Sequence, residues 1–167
     1  AEDGIRNKMK KKILFLYSQM VPSWLPVFQE LVSNGAVVDV VHWDNNTLTP
    51  YVPPDQKGVA FHPRSKFSQE MLNTHMYDFN PDLIFVSGWM DKGYLRTTYK
   101  ARKQNIPVVF GCDDWWTGSI RQKIASFIPK SFRRSIISHA WVPGPKQYEY
   151  CKRLGFSDNE IIFNFLT

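Results

Sequence analysis

Seven short apolar runs divide this chain: Ile13–Tyr17, Ala36–Trp43, Val59–Phe61, Leu83–Val86, Ile106–Phe110, Ile136–Val142 and Ile161–Phe165. Most do not alternate apolar with polar residues, so both faces of each strand require cover. A parallel sheet with helices on both faces provides that cover. The segments between the runs carry helical spacing. Trp24, Leu25, Phe28, Leu31 and Val32 fall on one helical face, and the first strand–helix–strand unit is of crossover length. Strands alternating with helices from end to end predict an α/β doubly wound parallel sheet with helices on both faces.

Local punctuation agrees with this reading. Ser23 is expected to cap the first helix, Pro26 suits a first turn, and Asn34-Gly35 stops it. Residues 44–57 read as loop, with Asp44, Asn45, Asn46, Pro50, Pro53 and Pro54. A helix is expected from Ser68 to about Tyr77, with Met71, Leu72 and His75 on one side. A basic helix is expected from Asp91 to Gln104. Ser119 caps a further segment whose Ile120, Ile124, Phe127 and Ile128 form a stripe, and Pro129 kinks or ends it. The last helix, Pro145 to Leu154, turns Tyr148, Cys151 and Leu154 inward and stops at Gly155.

Several classes of chemistry lack their residues. The loop Ser18-Gln-Met-Val-Pro-Ser23 has no glycine, so a dinucleotide cradle is not expected there. No GxxxxGK[ST] or GxSxG motif occurs, and no acidic cluster follows the first strand as a phosphorelay receiver requires. The net charge is +6, and residues 1–12 hold half of it, with five cations against Glu2 and Asp3. The remainder forms no dense basic tract, which argues against nucleic acid as a partner. Cys112 and Cys151 have neither CxxC nor metal spacing, so a reduced, cytoplasmic setting is expected. His42, His62, His75 and His139 are scattered without ligand spacing, so no metal site is expected. His42 and His139 lie in strand context and read as core or edge residues.

Ligands of open α/β sheets bind beyond the carboxyl ends of the strands. The fifth run ends there in Gly111, Cys112, Asp113, Asp114, Trp115 and Trp116. Asp113 and Asp114 are the candidate catalytic pair, able to accept from or orient a hydroxyl. Trp89, Trp115 and Trp116 offer flat apolar faces with a donor edge, suited to stacking on a ligand ring. Gln19, Met20, Gly88 and Gly144 complete the candidate substrate-binding set by loop position.

The last third, His139-Ala-Trp-Val-Pro-Gly-Pro-Lys-Gln-Tyr-Glu-Tyr-Cys-Lys-Arg-Leu-Gly-Phe156 with Asn159-Glu-Ile-Ile-Phe163, resembles GT-B glycosyltransferases, especially the retaining ones similar to family 4. Lys11-Lys-Ile-Leu-Phe-Leu-Tyr17, the helix ending in Glu30-Leu-Val-Ser-Asn-Gly35, Pro81-Asp-Leu-Ile-Phe-Val-Ser-Gly88 and Ile106-Pro-Val-Val-Phe-Gly-Cys-Asp-Asp114 are similar to successive motifs of the same domain. The resemblance covers about residues 10–167. It implies a Rossmann-like fold forming one domain of a GT-B pair: residues 9–167 would be the acceptor-side domain and residues 1–8 a tag or disordered leader. It implies a saccharide or lipid-linked acceptor and a sugar-nucleotide donor held mainly by a second domain, with no other cofactor. The fragment by itself would be inactive. Where the family commonly has a histidine before the acid, this chain has Cys112 and Asp113, a departure at the candidate catalytic position.

The segment Ile120–Arg134 mixes its apolar stripe with cations. It is expected to be a core-packed helix with a solvated basic face. The other reading is peripheral contact with the inner face of the plasma membrane through Ile120, Ile124, Arg121, Lys123, Arg133 and Arg134. A different class of function also fits the motifs: a stand-alone flavodoxin-like or Rossmann-like module that binds a small ligand through Trp89, Trp115 and Trp116, without transferase chemistry.

Overall fold

Leu14, Phe15, Leu16 and Tyr17 are all buried, as a strand covered on both faces requires, and they form most of β1 (Lys12–Tyr17). A computed structural model describes residues 10–45 and 50–164. In chain order the other strands are β2 (Val37–His42), β3 (Val59–Pro63), β4 (Leu83–Val86), β5 (Val108–Gly111), β6 (His139–Trp141) and β7 (Ile161–Ile162). The helices are α1 (Trp24–Ser33), α2 (Gln69–Phe79), α3 (Lys92–Lys103), α4 (Ile120–Ser126), α5 (Lys130–Arg134) and α6 (Pro145–Arg153). All seven strands are parallel, in the order β3-β2-β1-β4-β5-β6-β7. The fold is therefore a Rossmann-like doubly wound sheet. Its order reverses between β1 and β4, where such sheets open a crevice.

Residue parity divides the core. On one face Phe15, Tyr17, Val38, Val40, Phe85 and Val109 pack with Trp24 and Phe28 of α1. Phe15 lies 4.8 Å from Phe28, edge to face, and Tyr17 lies 5.1 Å from Trp24. Such aromatic pairs add about 0.5–1.5 kcal/mol each beyond the area they bury. On the other face Leu14, Leu16, Val41, Ile84, Val86 and Phe110 meet Leu72 and Met76 of α2, Tyr94 and Ala101 of α3 and Cys151 of α6. Tyr94 spans this layer, and its hydroxyl donates to the Val41 carbonyl at 3.0 Å.

Side-chain caps begin α2, α3 and α4, half of the six helices among the described residues. Ser68 Oγ accepts from the Met71 amide, and Asp91 accepts from the Gly93 and Tyr94 amides, the indole of Trp43 and the guanidinium of Arg64. Although burial works the other way, these contacts hold the Asp91 carboxyl below its usual range. Ser23 does not cap α1: its backbone is already helical and its side chain makes no cap hydrogen bond. Instead the Trp24 and Leu25 amides bond the Val21 and Pro22 carbonyls in a preceding turn.

Helix-closing contacts delay the start of β5 and β6 within their apolar runs. Ile106 donates to the Ala101 carbonyl to close α3, and Pro107 has no donor, so β5 begins at Val108. The amides of Ile136 and Ile137 bond the Arg133 carbonyl, which leaves only His139–Trp141 for β6. Met71 is exposed while its neighbour Leu72 is buried, and Tyr150 rather than Tyr148 is the buried tyrosine of α6. The proposed leader at residues 1–8, Asn46 of the proline-rich loop and Phe165 of the last run lie outside the described residues.

Candidate functional site

The reversal between β1 and β4 opens into a cleft of about 1050 Å³. Its walls are the ends of three strands and the loops that follow them: Tyr17 at the end of β1 with Ser18 and Gln19 after it; Ser87 to Met90 after β4; Cys112 to Trp115 after β5. The outer rim comes from α4, α5 and the turns joining them, including Arg121, Gln122, Ile128 and Phe132. The fold thus brings Gln19, Gly88, Trp89, Asp113, Asp114 and Trp115 to one place.

Each loop is fixed by a local device. The Ser18 amide donates to Ser87 Oγ at 2.8 Å, tying the first wall to the second. Gly88 has φ +143°, and a Cβ there would meet nothing within 4 Å, so backbone conformation alone favours glycine. Trp89 packs against Phe110 at 4.3 Å and keeps part of its indole in solvent. The third wall is clamped by Gln122. Its Oε1 accepts from the amides of Thr117 and Gly118, at 2.7 and 3.1 Å, and its Nε2 donates to the Trp115 carbonyl at 2.8 Å. Gln147 of α6 donates to the Asp113 carbonyl at 3.1 Å.

The polar groups of the cleft are not equivalent. Partial burial and then the charge of Asp113 push the Asp114 carboxyl upward, so it binds a proton more readily than an ordinary aspartate. The Cys112 thiol is pushed well up by its contact with the Cys151 thiol and by burial, so it stays protonated and is no nucleophile. Ser18 Oγ is buried and has no partner among the described residues. A buried hydroxyl in that state costs about 1–3 kcal/mol unless a ligand or water meets it.

Three of the residues expected at the site lie elsewhere. Met20 is buried in the α1-side core, because the chain turns inward before α1. Trp116 faces α6, with Tyr150 at 6.1 Å and the Arg153 guanidinium 4.8 Å above its ring. Gly144 has an extended backbone, φ −171°, open to any residue, and it serves as the N-cap of α6. Ser18, Ser87 and Gln122 were not identified from sequence, since polar loop residues carry no periodic signal.

The segment 120–134 is not core-packed with only a basic face in solvent. Ile120, Ile124 and Phe127 are 77%, 64% and 85% exposed, and Phe132 stands out beside them. Gln122 and Ala125 take the inward positions of α4, so its apolar stripe faces outward with Arg121 and Lys123. Arg133 does not belong to that surface. It is 4% exposed, lies 3.8 Å from the Phe156 ring centroid and pairs with Glu160 at 2.9 Å. Arg134 is exposed but meets the same carboxylate at 2.9 Å.

No protein-family model matches the chain, and no curated protein matches it by sequence. Solved structures do match by shape. A UDP-GlcNAc 2-epimerase from Neisseria meningitidis, bound to UDP-GlcNAc, aligns over 91% of this chain and 45% of its own, with 16% identity and TM-score 0.54. Another UDP-N-acetylglucosamine 2-epimerase aligns over 91% of this chain and 47% of its own, with 15% identity and TM-score 0.56. A short-chain dehydrogenase/reductase from Veillonella parvula aligns over 93% and 82%, with 14% identity and TM-score 0.50. What these proteins share with the chain is the Rossmann-like fold. The chain spans less than half the length of the epimerases it matches. Among the described residues, no helix is long and apolar enough to cross a membrane.

Proposed function

We propose that this chain is the acceptor-side domain of a two-domain, sugar-nucleotide-dependent glycosyltransferase, one that builds a polysaccharide or glycolipid at a membrane surface. The observation that carries the reading is the make-up of the cleft. Two adjacent carboxylates and two partly exposed indoles, Trp89 and Trp115, converge where an α/β sheet receives ligands. Indole faces suit sugar rings, and carboxylates suit their hydroxyls. Asp114 would accept from, or deprotonate, the acceptor hydroxyl, with Asp113 keeping its affinity for protons high. Ser18 Oγ and Gln19 would contact the same substrate from the first wall. The donor nucleotide would be held mainly by a second domain, consistent with the absence of a glycine-rich cradle after β1.

The exposed face of α4 and α5 supports a membrane setting. An apolar patch next to Arg121, Lys123 and Lys130 suits an interface rich in anionic lipid, and it adjoins the cleft mouth that a lipid-linked acceptor would enter. Cosedimentation with vesicles checks this part: binding is expected with anionic vesicles and is lost in Phe127→Ser with Ile124→Ser. Equal binding to zwitterionic vesicles would remove it.

Titration of tryptophan fluorescence tests the central reading. Saccharide or lipid-linked acceptors are expected to quench Trp89 and Trp115, while UDP-, GDP- and ADP-sugars leave the signal unchanged. Tight nucleotide binding by this chain alone would overturn the acceptor-side assignment and favour a stand-alone small-ligand module.

A further inference from the structure

Asp39 is a carboxylate in the middle of an otherwise apolar strand. It lies on β2 with its side chain 8% exposed. Such a group must be met by charge or hydrogen bonds. The fold supplies two histidines that sequence spacing left unconnected. His62 of β3 places Nε2 3.2 Å from Asp39 Oδ2, and His75 of α2 places Nε2 3.0 Å from Asp39 Oδ1. The two imidazoles are 4.9 Å apart between ring centroids.

We propose that Asp39, His62 and His75 form a binding site for a divalent transition metal of the zinc class. One donor atom from each residue lies within 4.8 Å of the other two. Donors bonded to a tetrahedral zinc at about 2.0–2.1 Å stand about 3.3 Å apart. Each imidazole Nε2 already lies about that far from an Asp39 oxygen, His62 from Oδ2 and His75 from Oδ1, so a small side-chain rotation brings both onto one shared ion. Two imidazoles and one carboxylate favour zinc, cobalt or nickel over magnesium or calcium, which prefer all-oxygen shells. Three protein donors leave a fourth position for water.

The donors sit on separate, supported elements. Leu72 and Met76, which flank His75 along α2, are fully buried and hold its register against the sheet. Phe67 walls one side, with its ring 5.2 Å from His75 and 6.1 Å from His62. Both histidines keep part of their rings in solvent, which gives an ion a path in. None of the three residues lines the cleft. The site is therefore a clip joining β2, the neighbouring strand β3 and α2, independent of the proposed transfer chemistry.

The test uses protein free of any polyhistidine tag. Cobalt(II) is titrated while its visible absorption is followed, and zinc is then added to displace it. One equivalent of cobalt with the intense spectrum of a four-coordinate site is expected, together with a rise in melting temperature on adding zinc. His62→Gln and His75→Gln, each checked for folding by circular dichroism, should each weaken cobalt binding by at least about tenfold. His139→Gln, on β6, should leave it unchanged. No stoichiometric cobalt spectrum, or a spectrum equally strong in both histidine variants, overturns the site.

Discussion

At the scale of single residues, Glu160 holds two guanidiniums at once, those of Arg133 and Arg134. Arg133 is buried against Phe156 and donates to the Gly155 carbonyl at 3.3 Å. Glu160→Gln leaves that cation without its counter-charge and is expected to lower stability by about 3 kcal/mol, measured by urea unfolding. The pH dependence follows from the same contacts. Burial alone would raise the Glu160 carboxyl, but the Ser157 hydrogen bonds and the two arginines hold it at about 2, below its ordinary 4.5. The unfolded chain therefore takes up this proton first as pH falls. The contribution is fully present above about pH 4.5 and is lost toward pH 2. Unfolding free energies measured across that window should fall less steeply in Glu160→Gln than in the wild type. Gly88→Ala probes a different constraint. A side chain at φ +143° is strained whatever space surrounds it, so a cost of about 1–3 kcal/mol is expected, and thermal unfolding reads it directly.

At the scale of elements, two serines that look alike in sequence behave differently. Ser68→Ala removes the cap that accepts the Met71 amide and should cost α2 about 1 kcal/mol. Ser23→Ala should change stability by no more than a few tenths, because the Ser23 side chain makes no cap hydrogen bond. Chemical denaturation of the pair separates them. Strand–helix alternation was legible because burial on both faces imposes apolar runs that only a covered parallel sheet accepts. Element ends were less legible. Ile106 and Ile136 are as apolar as any strand residue, yet their amides close the preceding helices. The orientation of α4 was also hidden. Periodicity identifies a stripe at Ile120, Ile124 and Phe127 but does not say whether it faces core or solvent, and the inward position went to Gln122 because that side chain clamps a loop.

At the scale of the whole molecule, the order β3-β2-β1-β4-β5-β6-β7 assembles residues near positions 18, 88 and 114 into one cleft. Strand ends in the sequence pointed to most of that set. They could not show that the turn after β1 buries Met20, or that Trp116 swings toward α6, because both depend on contacts distant in sequence. Asp39, His62 and His75 were illegible for the same reason, each lying on a different element. Under the function proposed above, Asp114→Asn in the full transferase is expected to lower turnover by about a hundredfold with little change in acceptor affinity, assayed by steady-state kinetics. The buried thiols behind the cleft carry a consequence of their own. Cys112 follows β5 and Cys151 lies on α6, and both are buried. Cys151, unlike Cys112, does not line the cleft, so an alkylating reagent reaches it only when that helix parts from the sheet. The pace of its labelling is thus a stopwatch for the breathing of this half of the fold, already built into the chain and needing no added probe.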